Sequence, residues 1–232
     1  MNKKKILLVD DEMKILEVVK SYLQKEEFEV HEAVTGIEAL EKFNELNPSL
    51  VILDLMLPDL TGEEVCKSIR AVSRVPIIML TAKVEEDSIL NGFDIGADDY
   101  VTKPFSPKQL VARVIALLRR SEEDMGLLSN YYSYNNDELT VDASTYEVKR
   151  DGEIINLTST ELNILVAMIK YPNKVFTREE LVCKALGEDF EGFDRVIDSH
   201  IKNLRRKIER DTRKPQYIKT VHGVGYKFGG EA

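Results

Sequence analysis

The sequence predicts an α/β fold, a doubly wound (βα)5 parallel sheet, followed by a smaller α+β domain. Three observations lead there. Over residues 1–120, short apolar runs alternate with stretches of helical period; beyond residue 130 the pattern becomes that of antiparallel hairpins and short helices. The length of 232 residues also exceeds what a single core of the commonest size accommodates. The boundaries fall at 1–120 for the first domain, 121–130 for a linker and 131–232 for the second domain.

In the first domain the runs are KILLV (5–9), EVHEA (29–33), LVILD (50–54), VPIIML (75–80) and DYVT (99–102). The first, third and fourth are apolar throughout, as parallel strands are when helices cover both faces. MKILEVVKSYLQ, GIEALEKFNE, TGEEVCKSIRA, EDSILNGFDIG and SPKQLVARVIALLRR place apolar residues at i, i+3, i+4 and i+7, which predicts five helices. Right-handed crossovers wind them onto both faces of the sheet. The acidic, glycine-bearing SEEDMGLLSN reads as the linker.

In the second domain YYSYNNDELTVDASTYEVKRDGEIINLT alternates like antiparallel strands, with NND and RDGE as turns. STELNILVAMIKY and TREELVCKAL open with the hydroxyl-to-glutamate spacing of a capping box. FDRVIDSHIKNLRRKIER is the longest helix, and YIKTVHGVGYKF closes the chain as a glycine-turned hairpin.

Composition narrows the function classes. Hydrophobic content of 43% and charged content of 31% are those of a globular protein with real cores. No apolar stretch approaches the ~18–20 residues of a membrane span, and MNKKK leads straight into ILLVDDE, so a cytoplasmic protein without membrane contact is expected. Cys66 and Cys183 form no C-x-x-C pattern and read as plain thiols. The net charge is −9, yet residues 195–232 carry ten Lys+Arg against four Asp+Glu, net +6. The C-terminal end is the basic part of an acidic chain.

In a doubly wound sheet, residues outside the carboxyl ends of the strands are exposed by topology. Asp10 and Asp11 follow the first run, Asp54 ends the third, Thr81 follows the fourth and Lys103 the fifth. One Asp after a strand is ordinarily a turn or cap residue; five polar groups in matching places on one edge are not explained by capping. Carboxylates so crowded repel unless they share a cation. Hard oxygen donors suit Mg2+, which completes its octahedron with water and phosphate oxygen. Lys103 adds positive charge and Thr81 a hydroxyl donor, both suited to a phosphoryl group in transfer, and Asp54 is the remaining nucleophile.

Through ILLVDDE, LVILDLMLPDLTG, PIIMLTAK and GADDYVTKPF, residues 4–120 resemble the receiver domain of two-component response regulators. The resemblance implies that Asp54 accepts a phosphoryl group from a sensor histidine kinase. It implies Mg2+ held by Asp10, Asp11, Asp54 and the backbone carbonyl of Met56, with Lys103 pairing to the phosphoryl group and a cis Lys103–Pro104 peptide. Thr81 and Tyr100 are then the switch, and the domain acts catalytically on its own acyl phosphate alone. A homodimer is implied across the face of the fourth helix, fifth strand and fifth helix. Asp98, Asp99 and Arg113 match that face, while Ile89 and Gln109 stand where the class usually carries Lys or Arg, and Glu.

In the longest helix Ile197, Ile201, Leu204 and Ile208 form one apolar stripe, and Arg195, Ser199, Lys202, Asn203 and Arg206 lie opposite. A polar stripe is usually a solvated face, but this one lies in the net-positive segment and precedes a hairpin. R-x-I-D-S-H-I-x-x-L-R-x-K-I and TVHGVGYKF resemble the winged helix-turn-helix domain of the OmpR/PhoB response regulators over residues 131–229. That implies promoter DNA as partner, with Ser199, Lys202 and Asn203 near base edges and Arg195, His200, Arg206 and Thr220 toward phosphates. His222 takes a wing position usually held by a stronger base.

The sequence therefore reads as a transcription factor, switched by phosphorylation of Asp54, that dimerises to occupy promoter half-sites and engages the transcription machinery. A second reading keeps the receiver as a dimerisation module of a phosphorylation-independent DNA-binding regulator. A phosphatase of the haloacid dehalogenase type is disfavoured, because its general acid sits two residues after the nucleophile, where this chain has Met56.

Overall fold

The computed structural model describes residues 3–82, 95–123, 131–143, 145–187 and 195–229. The chain divides into two compact units, Met1–Arg119 and Arg120–Ala232. In the first, β1 (Lys5–Val9), β2 (Glu29–Ala33), β3 (Leu50–Asp54), β4 (Ile77–Thr81) and β5 (Asp99–Thr102) form one parallel sheet in the order β2-β1-β3-β4-β5. Helices α1 (Met13–Lys25), α2 (Gly36–Leu46), α3 (Gly62–Val72) and α4 (Pro107–Glu123) accompany it. The predicted helix over 86–96 lies almost entirely outside the described residues, and α4 runs to Glu123, three residues into the segment read as linker.

Burial explains why the strand sequences are so apolar. Leu50 to Leu53 of β3 and Ile77 to Leu80 of β4 are fully buried, alternate residues pointing to opposite faces that are both covered. Each such side chain contributes about 1.5–3 kcal/mol by leaving water. On one face Ile6, Leu8, Ile52, Ile78 and Leu80 pack with Leu16, Val19 and Leu23 of α1 and Leu110, Val114 and Leu117 of α4. The strand order reverses between β1 and β3, and that switch point opens a crevice at their carboxyl ends.

The second unit begins with an antiparallel sheet of β6 (Tyr131–Tyr134), β7 (Leu139–Asp142), β8 (Glu147–Arg150) and β9 (Glu153–Ile155). Its turns obey the local chemistry: Asn135, Asn136 and Asp137 all have positive φ, as do Asp151 and Gly152, the pairing a tight hairpin requires. Helices α5 (Ser159–Ile169) and α6 (Arg178–Ala185) start with complete capping boxes, Thr158 with Glu161 and Thr177 with Glu180. After α7 (Val196–Ile208), the hairpin of β11 (Ile218–Val221) and β12 (Gly225–Phe228) is joined by the short β10 (Phe176–Thr177), which the sequence pattern does not reveal. A Cβ on Gly225 would lie 2.0 Å from the Phe176 carbonyl oxygen, so only glycine lets β12 approach β10.

Candidate functional site

The crevice of the first unit gathers the polar residues singled out above. Asp10 follows β1, Asp54 ends β3, Thr81 ends β4, and all three are buried, whereas Asp11 is exposed. Carboxylate oxygens of Asp10, Asp11 and Asp54 lie within 4.8 Å of one another. Lys103, after β5, reaches into the cluster: its Nζ is 2.8 Å from Asp10 Oδ2, 2.9 Å from Asp54 Oδ2 and 3.5 Å from Glu12 Oε1. The Lys103–Pro104 peptide is cis. The Glu12 amide donates to Asp10 Oδ1 at 2.9 Å, and the Met56 amide to Asp54 Oδ1 at 3.3 Å.

The electrostatics are those of an incompletely neutralised site. Burial pushes the Asp10 carboxyl above its ordinary value, and Lys103 with the Glu12 amide only partly offsets that. Burial also works against the Lys103 ammonium, but hydrogen bonds to Asp10 and Asp54 outweigh it and hold its pKa above the usual lysine range. The carboxylates of Asp10, Asp54 and, more distantly, Glu12 converge on the Lys103 ammonium, with Asp11 beside them. Such a donor set, all hard oxygen and in excess of its counter-charge, fits Mg2+. Tyr100 of β5 is buried and its phenol pushed up by that burial.

Two supports of the pocket are not evident from residue type. Gly62, first residue of α3, donates its amide to Leu55 O at 3.0 Å, and a Cβ there would lie 2.2 Å from the carbonyl oxygen of Asp54. Asp59 accepts the amides of Gly36 and Ile37 at 2.7 and 2.9 Å, tying the loop after Asp54 to the start of α2. Those amides hold its carboxyl down at about 2. The sequence signal for both was present in LPDLTG, where a turn residue and a glycine precede a helix.

The residues expected at the dimer face have the following surroundings within the chain. Asp98 is fully buried, and Arg70 of α3 binds it at 2.6 Å while donating to Gly96 O at 2.7 Å and Val75 O at 2.5 Å. Asp98 Oδ2 also accepts the Ile77 amide at 3.0 Å. Within the chain this aspartate joins α3 to the starts of β4 and β5. Asp99 is buried and pairs with Arg113 of α4 at 3.1 Å within the chain, and Gln109 is exposed. Ile89 lies outside the described residues.

In the second unit α7 buries Val196, Ile197, Ile201, Leu204 and Ile208. The opposite stripe is narrower than its spacing suggests. Arg195, Lys202 and Arg206 are exposed, and Ser199, His200 and Asn203 are buried. Both α5 and α6 pack on α7. Thr220 of β11 and His222 at the hairpin tip are exposed. The hairpin is tied to α7 by Arg205, whose Nε and Nη2 donate to Ile218 O at 3.0 and 2.7 Å.

An acidic pocket at the switch point of a doubly wound sheet, followed by a helix-and-hairpin unit with a basic end, defines a response-regulator transcription factor. The response regulator receiver domain family matches residues 6–115, and the family described as transcriptional regulatory protein, C terminal, matches residues 152–228. The chain belongs to the OmpR/PhoB class of response regulators, DNA-binding transcription regulators and not enzymes. It is 44% identical to the transcriptional regulatory protein SrrA of Staphylococcus aureus (strain NCTC 8325 / PS 47) over 227 residues, 96% of this chain and 94% of that protein. A RitR mutant structure matches with TM-score 0.79 and 27% identity, covering 99% of this chain and all of that one. DrrB of Thermotoga maritima, described as an OmpR/PhoB homolog, matches with TM-score 0.51 and 38% identity at the same coverage. Among the described residues no helix is long and apolar enough to cross a membrane.

Proposed function

We propose that Asp54 is the phosphoacceptor of a sensor histidine kinase, and that its phosphorylation drives receiver dimerisation and binding to promoter half-sites. The observation that carries this reading is the buried Asp54 carboxylate 2.9 Å from the Lys103 ammonium, beside Asp10 and Asp11. An Asp54 oxygen attacks the phosphorus of the kinase phosphohistidine; the P–N bond breaks, the imidazole leaves and an acyl phosphate forms. Lys103 offers its charge to the phosphoryl oxygens, and Thr81 a hydroxyl. Asp10, Asp11, Asp54 and the Met56 carbonyl are the groups that would hold Mg2+, which when bound offsets the negative charge shared between the pocket and the phosphoryl group.

Thr81 and Tyr100 serve as the switch in this reading: Thr81 engages the new phosphoryl group and Tyr100 repacks into the space it leaves. Asp99, Arg113 and Gln109 contribute to the dimer face, together with Ile89. On the second unit Lys202 and Arg206 face the duplex with Arg195, Thr220 and His222. Ser199 and Asn203, buried in the free chain, serve base edges, and His200 serves the phosphates. Exposed cations on a helix beside a hairpin suit a major groove and its flanking phosphates.

Acetyl phosphate with Mg2+ should add one phosphoryl group to the unmodified chain and none to Asp54→Asn. Beryllofluoride should raise the dimer fraction and the affinity for a duplex selected from a random library. Labelling that persists in the Asp54 variant shows another acceptor, and an affinity indifferent to beryllofluoride supports the phosphorylation-independent regulator instead.

A further inference from the structure

Three elements of the second unit meet at one tyrosine. Tyr226 of β12 is buried, and the guanidinium carbons of Arg178 (α6) and Arg205 (α7) each lie 5.6 Å from its ring centroid. Its hydroxyl donates to Asp198 Oδ1 of α7 at 2.7 Å, and the same oxygen accepts from Arg178 Nε at 2.8 Å. Besides binding Ile218 O, Arg205 Nη2 donates to Thr220 Oγ1 at 2.9 Å. Helix α7 thus grips both strands of the hairpin, β12 through Asp198 and β11 through Arg205. Burial pushes the Tyr226 phenol up to about 12, so it stays a proton donor at neutral pH.

We propose that Asp198, Tyr226, Arg205 and Arg178 form a positioning clamp that fixes the distance between the exposed stripe of α7 and the hairpin tip, so that both address a DNA duplex in one register. The proposal rests on reading this unit as the DNA-binding face. Sequence selection needs the helix and hairpin contacts to be made together, whereas non-selective attraction to phosphates needs only the charges. Thr220 joins the same cluster. Its oxygen already accepts from Arg205, which leaves its hydroxyl hydrogen available to an outside acceptor such as a phosphate oxygen. None of the four residues needs to touch a base for selectivity to depend on them.

Tyr226→Phe keeps the ring between the guanidinium groups and deletes one hydrogen bond, and Arg205→Lys keeps the charge and deletes the fork. The probes are a duplex selected by the unmodified full-length chain from a random library and a scrambled duplex of the same length, at fixed salt. Each variant should lose roughly tenfold affinity for the selected duplex while changing less than about twofold on the scrambled one. Equal losses on both duplexes, or none on either, overturn the clamp. Hydrogen exchange without DNA is an independent test: Tyr226→Phe should speed exchange of the hairpin amides severalfold and leave those of α7 unchanged, and unaltered hairpin exchange refutes the proposal. An unmodified chain that prefers no sequence would refute the DNA reading instead, and the hairpin exchange rates would then decide by themselves whether the clamp exists.

Discussion

In the first unit the buried carboxylates of Asp10 and Asp54 share Lys103, while in the second unit the equally buried Glu209 receives the amides of Gln216, Tyr217 and Ile218 at 2.7 to 3.0 Å. Both arrangements place negative charge where water is scarce. The difference is in what the surroundings supply. Around Glu209, backbone donors converge from the segment leading into β11, and Arg150 donates to Lys207 O in the last turn of α7 and to Glu209 O just beyond it, at 3.2 and 3.1 Å. Around Asp10, desolvation exceeds the compensation and the carboxyl is pushed toward protonation. A carboxylate whose donors are supplied by its own chain holds the fold together. One whose charge is left partly unanswered is prepared for something that arrives from outside.

Opposite responses to charge removal would sharpen that contrast. The largest effect is expected from Glu209→Ala, which strands three amides and should destabilise the second unit by about 3 kcal/mol or more. Hydrogen exchange resolved by peptide in the full-length chain should show the loss there and leave β1, β3 and β4 protected. Protection of the second unit that survives the substitution would mean that the amides find water, and the contrast would fail.

Alkaline titration should separate the units next. Burial pushes the Cys66 thiol on α3 up to about 11 from an ordinary value near 9, so the native state keeps a proton that the unfolded chain gives up. This contribution is complete below pH 9 and is lost between pH 9 and 11, at up to about 1.4 kcal/mol per pH unit. Cys66→Ala should flatten that part of the receiver's decline. Burial pushes Tyr217 and Tyr226 of the second unit up to about 12, so their contribution is lost over pH 10 to 12 by the same sign. Urea midpoints of the two units across this range test both windows.

A smaller shift, about 1 kcal/mol or less, is expected from Asp10→Asn, and its sign matters more than its size. Without Mg2+ the substitution should leave the receiver as stable or more stable, because the charged form is the disfavoured one. Calorimetry should show Mg2+ affinity falling in the same variant. A clear destabilisation would show that Lys103 compensates Asp10 fully. The smallest effect belongs to Arg206→Ala, which should reduce the magnitude of the slope of log affinity against log salt by about 0.9 if one phosphate contact is lost. An unchanged slope removes Arg206 from the contact surface.

Much of this was legible in the sequence because the receiver's grammar is local. Continuous apolar runs marked β1, β3 and β4, and the topology then carried Asp10, Asp54, Thr81 and Lys103 to one edge without any long-range information. The surroundings of Asp98 were not legible in the same way. Adjacent aspartates look alike in sequence, yet Asp98 meets Arg70, 28 residues away, while Asp99 meets Arg113. On α7 the helical wheel separated apolar from polar residues but gave no sign that Ser199, His200 and Asn203 would be buried. Tyr226 and Arg205 gave no periodic signal, since their partners lie on other elements.

Gly62 carries a consequence for inheritance. Every missense change in its codon introduces a β-carbon, and any β-carbon there collides with the backbone oxygen of Asp54. The chemistry of the acceptor is therefore exposed to mutation at a residue that bears no reactive group, and a survey of tolerated substitutions should find position 62 as intolerant as the acidic residues it supports.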